Sequence, residues 1–275
     1  MNTRLTKEDQ AIIKKARRNK VSGPIYSEDG LRLLKVLGNP EYLEVKDGVK
    51  AICDEACQGL DNLQDVVLPA SVIDLGTRAF ASCIKLFKIT MPGVDFIGIE
   101  SFAHCENLKE IALPETLGKI WEGAFADCKA LEEINIPSHL KIIDKSAFRN
   151  SGLKSLNIVI SEDCKCWIYD RSFASCKHLE SVYLNKNVKI VERMAFAGCT
   201  SLKTIEFENP SLTGLIGETD LIAEINTTML IGCTSLEKII VPKHKYNHFP
   251  DFNIQGYESA QFETRDFNSL VTPKE

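Results

Sequence analysis

The sequence lacks the usual marks of a membrane-spanning, exported or catalytic chain. No apolar run approaches the ~18–20 residues that a membrane-crossing helix needs. The start, Met1-Asn2-Thr3-Arg4-Leu5-Thr6-Lys7-Glu8, has no apolar core of the ~7–15 residues found in a secretory leader. As written, the chain reads as cytoplasmic, and a cell-surface or secreted location is the reading if a leader has been removed. There is no G-x-S-x-G, no H-E-x-x-H, no phosphate loop and no dinucleotide-binding fingerprint. The histidines at 104, 139, 178, 244 and 248 share no register. No enzyme activity, cofactor or metal is therefore expected. Cys164-Lys-Cys166 lacks further ligands at zinc spacing, and His244-Lys-Tyr-Asn-His248 lacks the glutamate and helical context of a zinc protease.

Strong positive charge is also missing. The 275 residues carry a net charge of -5, which argues against nucleic acid as the main ligand of the whole chain. The exception is local. Residues 1–20 hold seven Lys/Arg against Glu8 and Asp9. Their core, Lys14-Lys-Ala-Arg-Arg-Asn-Lys20, is read first as a solvated helix face and second as a contact for an anionic partner. Thr6-Lys-Glu-Asp9 resembles a capping box and predicts a helix over about residues 6–19 that caps the start of the array.

What is present in quantity is self-similarity. The segment Leu108-Lys-Glu-Ile111-Ala-Leu113-Pro114-Glu-Thr-Leu117-Gly-Lys-Ile120-Trp-Glu-Gly-Ala124-Phe125-Ala-Asp-Cys128 is the clearest copy of a unit of roughly 23 residues. Its Phe recurs at Phe80, Phe102, Phe125, Phe148, Phe173 and Phe196, in steps of 22, 23, 23, 25 and 23 residues. Cys57 fills the slot before this run. Leu230 fills it after an insertion of 11 residues within 208–228.

Ile-x-Leu alternation predicts a short strand that a following proline ends. An aliphatic pair such as Leu117/Ile120 predicts an extended return leg, and A-F-x-x-C-x-x-L suits one tight helical turn. One unit cannot bury its own apolar face, so stacking into about eight parallel rungs is required. Six of the ten cysteines occupy one repeat position, three residues before an aliphatic one. They read as buried free thiols, not as a disulfide framework. Residues 151–167 lengthen the unit after Phe148 and predict a bulge in the wall.

The I-x-L-P strand joined to A-F-x-x-C resembles the BspA-like class of leucine-rich repeats. The resemblance covers about residues 31–245, with residues 1–30 as an N-terminal cap and 246–275 as a C-terminal cap or tail. It implies a right-handed α/β solenoid with a concave parallel sheet, its convex side made of short helical turns or extended segments, used in protein recognition. Members are often bacterial or protozoan surface proteins that bind host or matrix proteins.

The surface columns of the strands then supply the candidate site. The position before the buried pair holds Glu110, Glu133 and Ser181, and the position between the pair holds Asn135, Asn157, Tyr183 and Glu206. These seven residues are expected to face a protein or peptide partner, with Tyr183 as an anchor. The chain is expected to act as a monomer.

Overall fold

The computed structural model describes residues 2–209, 228–242 and 260–265. They form a solenoid of about eight turns whose two legs build separate sheets. The return legs make one sheet of nine strands. It begins with Gly23–Tyr26 antiparallel to Arg32–Leu37. It then runs in parallel through Ala51–Ile52, Asp74–Leu75, Phe96–Ile97, Lys119–Ile120, Ile142–Ile143, Cys166–Ile168 and Val188–Val191. The sequence predicts a bulge within 151–167; the register shift in this sheet instead leaves Lys189 unpaired in the next strand, between the partners of Cys166 and Trp167.

The first legs behave differently. Tyr42–Glu44, Asp65–Val67, Lys88–Thr90 and Glu110–Ile111 form a four-stranded sheet. Ser155–Ile158, Ser181–Leu184, Thr204–Phe207, Lys238–Pro242 and Gln261–Arg265 form a five-stranded one. Between them the rung Glu132–Ile136 makes no strand. Gln261–Arg265 adds a strand beyond the last repeat, parallel to Lys238–Pro242. Most of the 208–228 insertion, His244 and His248 lie outside the described residues.

The core lies between the two legs. Phe80, Phe102, Phe125, Phe148, Phe173 and Phe196 are fully buried. Successive rings stack with centroids 5.1–5.5 Å apart and planes within 10° of parallel. Each such ring contributes roughly 1.5–3 kcal/mol by burial. All ten cysteines are free and buried.

Six thiols do more than fill space. Cys105 Sγ donates to the Phe80 carbonyl (3.1 Å), Cys128 to Phe102 (3.2 Å), Cys176 to Phe148 (3.1 Å), Cys199 to Phe173 (3.2 Å) and Cys233 to Phe196 (3.1 Å). Cys83 does the same to Cys57, which stands in the Phe slot (3.1 Å). Each cysteine thus gives a second donor to a buried carbonyl of the rung before it, beside the backbone N–H that carbonyl accepts within its own rung, which Ala could not do.

The A-F-x-x-C segment forms bonds of the i→i+3 type without a run of helix. Ala81 N–H reaches Arg78 and Cys83 N–H reaches Phe80, while the alternate Arg78, Phe80 and Ser82 amides bond to the next rung. Left-handed residues interrupt the turn two positions before and two after each Phe. Arg78, Glu100, Ser146, Arg171 and Met194 lie at φ 53–57°, and Ser82, His104, Asp127, Asn150 and Ser175 at φ 56–62°. Such residues cost about 1–3 kcal/mol each in isolation, so the stack must over-determine them. The rung that follows the insertion keeps these bonds, Ile231 N–H reaching Thr228 and Cys233 N–H reaching Leu230, with a 3-10 turn at Thr228–Leu230 and Gly232 in the left-handed position.

At the N-terminal end the helix Lys7–Arg18 covers the first rung with Ile13 and Ala16. Thr6 and Asp9 complete a reciprocal capping box, Asp9 standing in the place usually taken by Glu or Gln. The same buried Asp9 carboxylate takes the Arg32 guanidinium at 2.9 Å, tying the cap to the first strand. Lys14, Lys15, Arg17 and Arg18 stay exposed on the outer face.

Candidate partner-binding surface

The seven residues singled out from the sequence all fall on the first-leg face, but they are not equally available. Asn157 and Ser181 are exposed, on adjacent strands in which Ser155 pairs with Ser181 and Asn157 with Tyr183. Glu206 continues the Asn157–Tyr183 column on the next strand.

Tyr183 is half-buried and its hydroxyl donates to Glu208 Oε1 at 2.6 Å. Burial, reinforced by the Glu208 carboxylate, holds its phenol well above the ordinary tyrosine range. It is a neutral donor with its ring already fixed. Glu206 accepts from Arg265 Nη1 at 2.5 Å, and its side chain is 14% exposed. Arg265 therefore reaches back from the last strand to cover part of the expected surface. Nothing in the repeat signals that contact, because Arg265 lies outside the period.

The other three candidates surround the break in the sheet. Glu110 pairs with Lys88 at 3.1 Å. Glu133 is exposed in the rung that makes no strand. Asn135 turns its amide on the preceding rung: Leu113 N–H donates to Oδ1 and Nδ2 donates to the Leu113 carbonyl, both at 3.0 Å. A side chain thus takes the place of a missing rung of backbone ladder.

The consequence is a hollow. Val66, Ile89, Leu156 and Val182 are buried in their rungs, but Ile111 and Ile134 are only half-buried in theirs. They floor a depression of about 440 Å³ edged by Lys109, Glu110, Glu133, Asn135 and Asn157. Ile111 and Ile134 escape a reading of the sequence because their column is the buried one everywhere else.

Among the described residues, no group of three or more His, Cys, Asp or Glu is placed to hold a metal ion. No described helix is long and apolar enough to cross a membrane.

The fold and its surface define a class: a parallel solenoid built on a Phe/Cys spine that displays a polar sheet with a hollow at its break. The chain belongs to the BspA type leucine rich repeat family, whose profile matches six copies over residues 39–154, 95–218 and 166–253. Solved structures similar to it include a leucine-rich repeat protein from Bacteroides ovatus, at 17% identity and a TM-score of 0.41 over 90% of this chain and 91% of that one. A leucine rich cell surface protein from Faecalibacterium prausnitzii gives 17% and 0.41 over 90% and 93%. The pneumococcal vaccine antigen PcpA gives 16% and 0.41 over 90% and 83%. No curated protein matches the sequence.

Proposed function

We propose that the chain is a non-enzymatic interaction module that binds a protein or peptide on its first-leg sheet. The observation that carries this reading is the hollow at the break, where Glu110, Glu133, Asn135 and Asn157 share one depression with Ile111 and Ile134. Interfaces pair an apolar centre with a polar rim. Two half-covered isoleucines edged by carboxylates suit a peptide that carries an aliphatic side chain beside a Lys or Arg. Ser181, Tyr183 and Glu206 extend the rim, and the pre-ordered Tyr183 ring loses little freedom on binding. The right-handed, inward-curving course expected of the class would make this sheet the concave lining. The ten unpaired thiols support a reducing compartment. Display at the cell surface is the competing reading, and fractionation of the native product separates the two.

Selection of displayed peptides on the intact protein tests the site. Selected peptides are expected to lose roughly tenfold or more in affinity on Ile134→Asp, and less on the Asn157→Ala, Tyr183→Ala double variant. Unchanged affinity in both variants, with unchanged melting temperatures, moves the site off this sheet.

A further inference from the structure

The nine-stranded return-leg sheet has an outer face of its own, and its character differs from the first-leg face. The register aligns Phe96, Lys119, Ile142, Trp167 and Ile190 in one outward column across five consecutive rungs. Their inward neighbours Ile97, Ile120, Ile143, Ile168 and Val191 are buried, so the alternation leaves the column facing out. Trp121 stands two residues beyond Lys119 and leans back onto Phe96, with ring centroids 5.1 Å apart. The Lys119 ammonium sits 3.4 Å from the Trp121 ring centroid, so the one charged position lies along an aromatic surface. Ile190 is 46% exposed at the far end. The result is an apolar stripe one residue wide, about 19 Å long at ~4.8 Å per rung.

The flank that precedes the column is basic, with Lys141, Lys165 and Lys189, whereas the following flank is mixed, with Glu122, Asp144, Asp170 and Glu192 beside Lys145 and Arg193. Asp144, the carboxylate beside Ile142, is neutralised by Lys119 at 2.8 Å. Lys141 and Lys165 on one side and Lys145 on the other are exposed. No ion pair between described residues engages these three ammonium groups.

A narrow stripe with a step of ~5 Å per rung nearly matches the 5.4 Å pitch of an α-helix laid along the stack. Residues at i, i+4, i+7 and i+11 of such a helix would meet successive rungs.

We propose that this face docks an amphipathic helix of a partner protein, its apolar edge on Phe96, Trp121, Ile142, Trp167 and Ile190. Acidic residues along one side of that edge meet Lys141 and Lys165. The site is on a different sheet from the one proposed above and stands or falls separately.

Trp121 and Trp167 are the only two tryptophans in the chain. Intrinsic emission therefore reports directly on this face. The probe is a synthetic helix of about 18 residues with Leu at i, i+4, i+7, i+11 and i+14 flanked by Glu. The control has Lys in place of each Glu, and phosphatidylglycerol vesicles form a third arm.

The expected result is a saturable blue shift with the Glu-flanked peptide, roughly tenfold weaker with the Lys-flanked one. The Lys141→Glu, Lys165→Glu double variant should reverse that preference, and Asn157→Ala should leave it unchanged. A melting curve equal to that of the unmodified protein shows that the double variant is folded. No shift with the Glu-flanked peptide, equal response to both peptides, or a response to vesicles alone overturns the proposal.

Discussion

The two sheets are built from the same repeat, yet one runs unbroken through nine strands and the other splits into four and five. The unbroken sheet has the shorter strands, often two residues each. Strand length therefore does not decide continuity. The return leg leads directly into the left-handed turns and the Phe/Cys spine, where thiols, rings and turn amides all fix the rung spacing. The first leg follows the spine and is held by its ladder or, at the break, by the Asn135 side chain. A rung there can leave the ladder, as Glu132–Ile136 does, without disturbing the neighbours behind it.

The largest effect should come from the spine that both sheets share. Phe125→Ala is expected to lose about 3–5 kcal/mol in denaturant unfolding, against about 0.5 kcal/mol for Glu133→Ala. Similar midpoints for the two would refute the stacked-ring account.

The comparison between sheets is tested most directly by two isoleucines. Ile143, fully buried in the unbroken sheet, should cost about 2–5 kcal/mol on truncation to Ala. Ile134, half-exposed in the broken rung, should cost about 1 kcal/mol, because less apolar area is removed from contact. Equal losses would mean that the hollow closes in solution.

Alkaline pH probes the thiol column. Burial pushes Cys83 and Cys166 up to about 12 and Cys53 up to about 11. An unfolded thiol ionises near ~8.5. Folding keeps these thiols neutral, so their stabilisation is complete below the unfolded value and is lost as pH climbs from there toward 11–12. Melting temperature should fall across that window, and a Cys83→Ala variant should show a shallower fall. At pH 8 the native thiols should resist alkylation until denaturant is added.

Asn135→Ala removes the two bonds to Leu113 and should cost about 1 kcal/mol, with faster hydrogen exchange at the Leu113 amide. Unchanged exchange would show that the side chain does not close the gap. The smallest effect expected is a gain. Ser82 sits at φ 60°, and Ser82→Gly should add about 0.5 kcal/mol or less as relief of strain outweighs the added freedom of the unfolded chain.

The period of 22–25 residues made the rungs, the Phe column and the free cysteines legible, because each must recur for the stack to close. The reason for cysteine was not legible. Its donor role depends on a carbonyl 25–37 residues away in sequence. Non-glycine residues such as Met194 and Arg171 gave no hint of left-handed backbone, since the stack, not the residue type, imposes it. Among the candidate site residues, Asn157 and Ser181 face outward as expected. Asn135 and Glu206 looked the same in sequence but make contacts within the chain, and only the positions of Leu113 and Arg265 distinguish them. The return-leg stripe was passed over because Phe96, Ile142 and Trp167 occupy variable positions between conspicuous aliphatic ones.

The thiol bonds also give the stack a direction. Each cysteine serves the rung before it and none serves the rung after. Peeling a rung from the C-terminal end therefore takes the thiol donor from a carbonyl on what remains, and that carbonyl keeps the backbone N–H of its own rung. Peeling one from the N-terminal end instead leaves a thiol, a far weaker hydrogen-bonding group, without its acceptor. Either end gives up one such bond per rung, so the thiol column fixes the order of the rungs and not a difference in fraying between the ends. At the N-terminal end the buried Asp9–Arg32 clasp adds what the column cannot, a charged tie between the cap helix and the first strand.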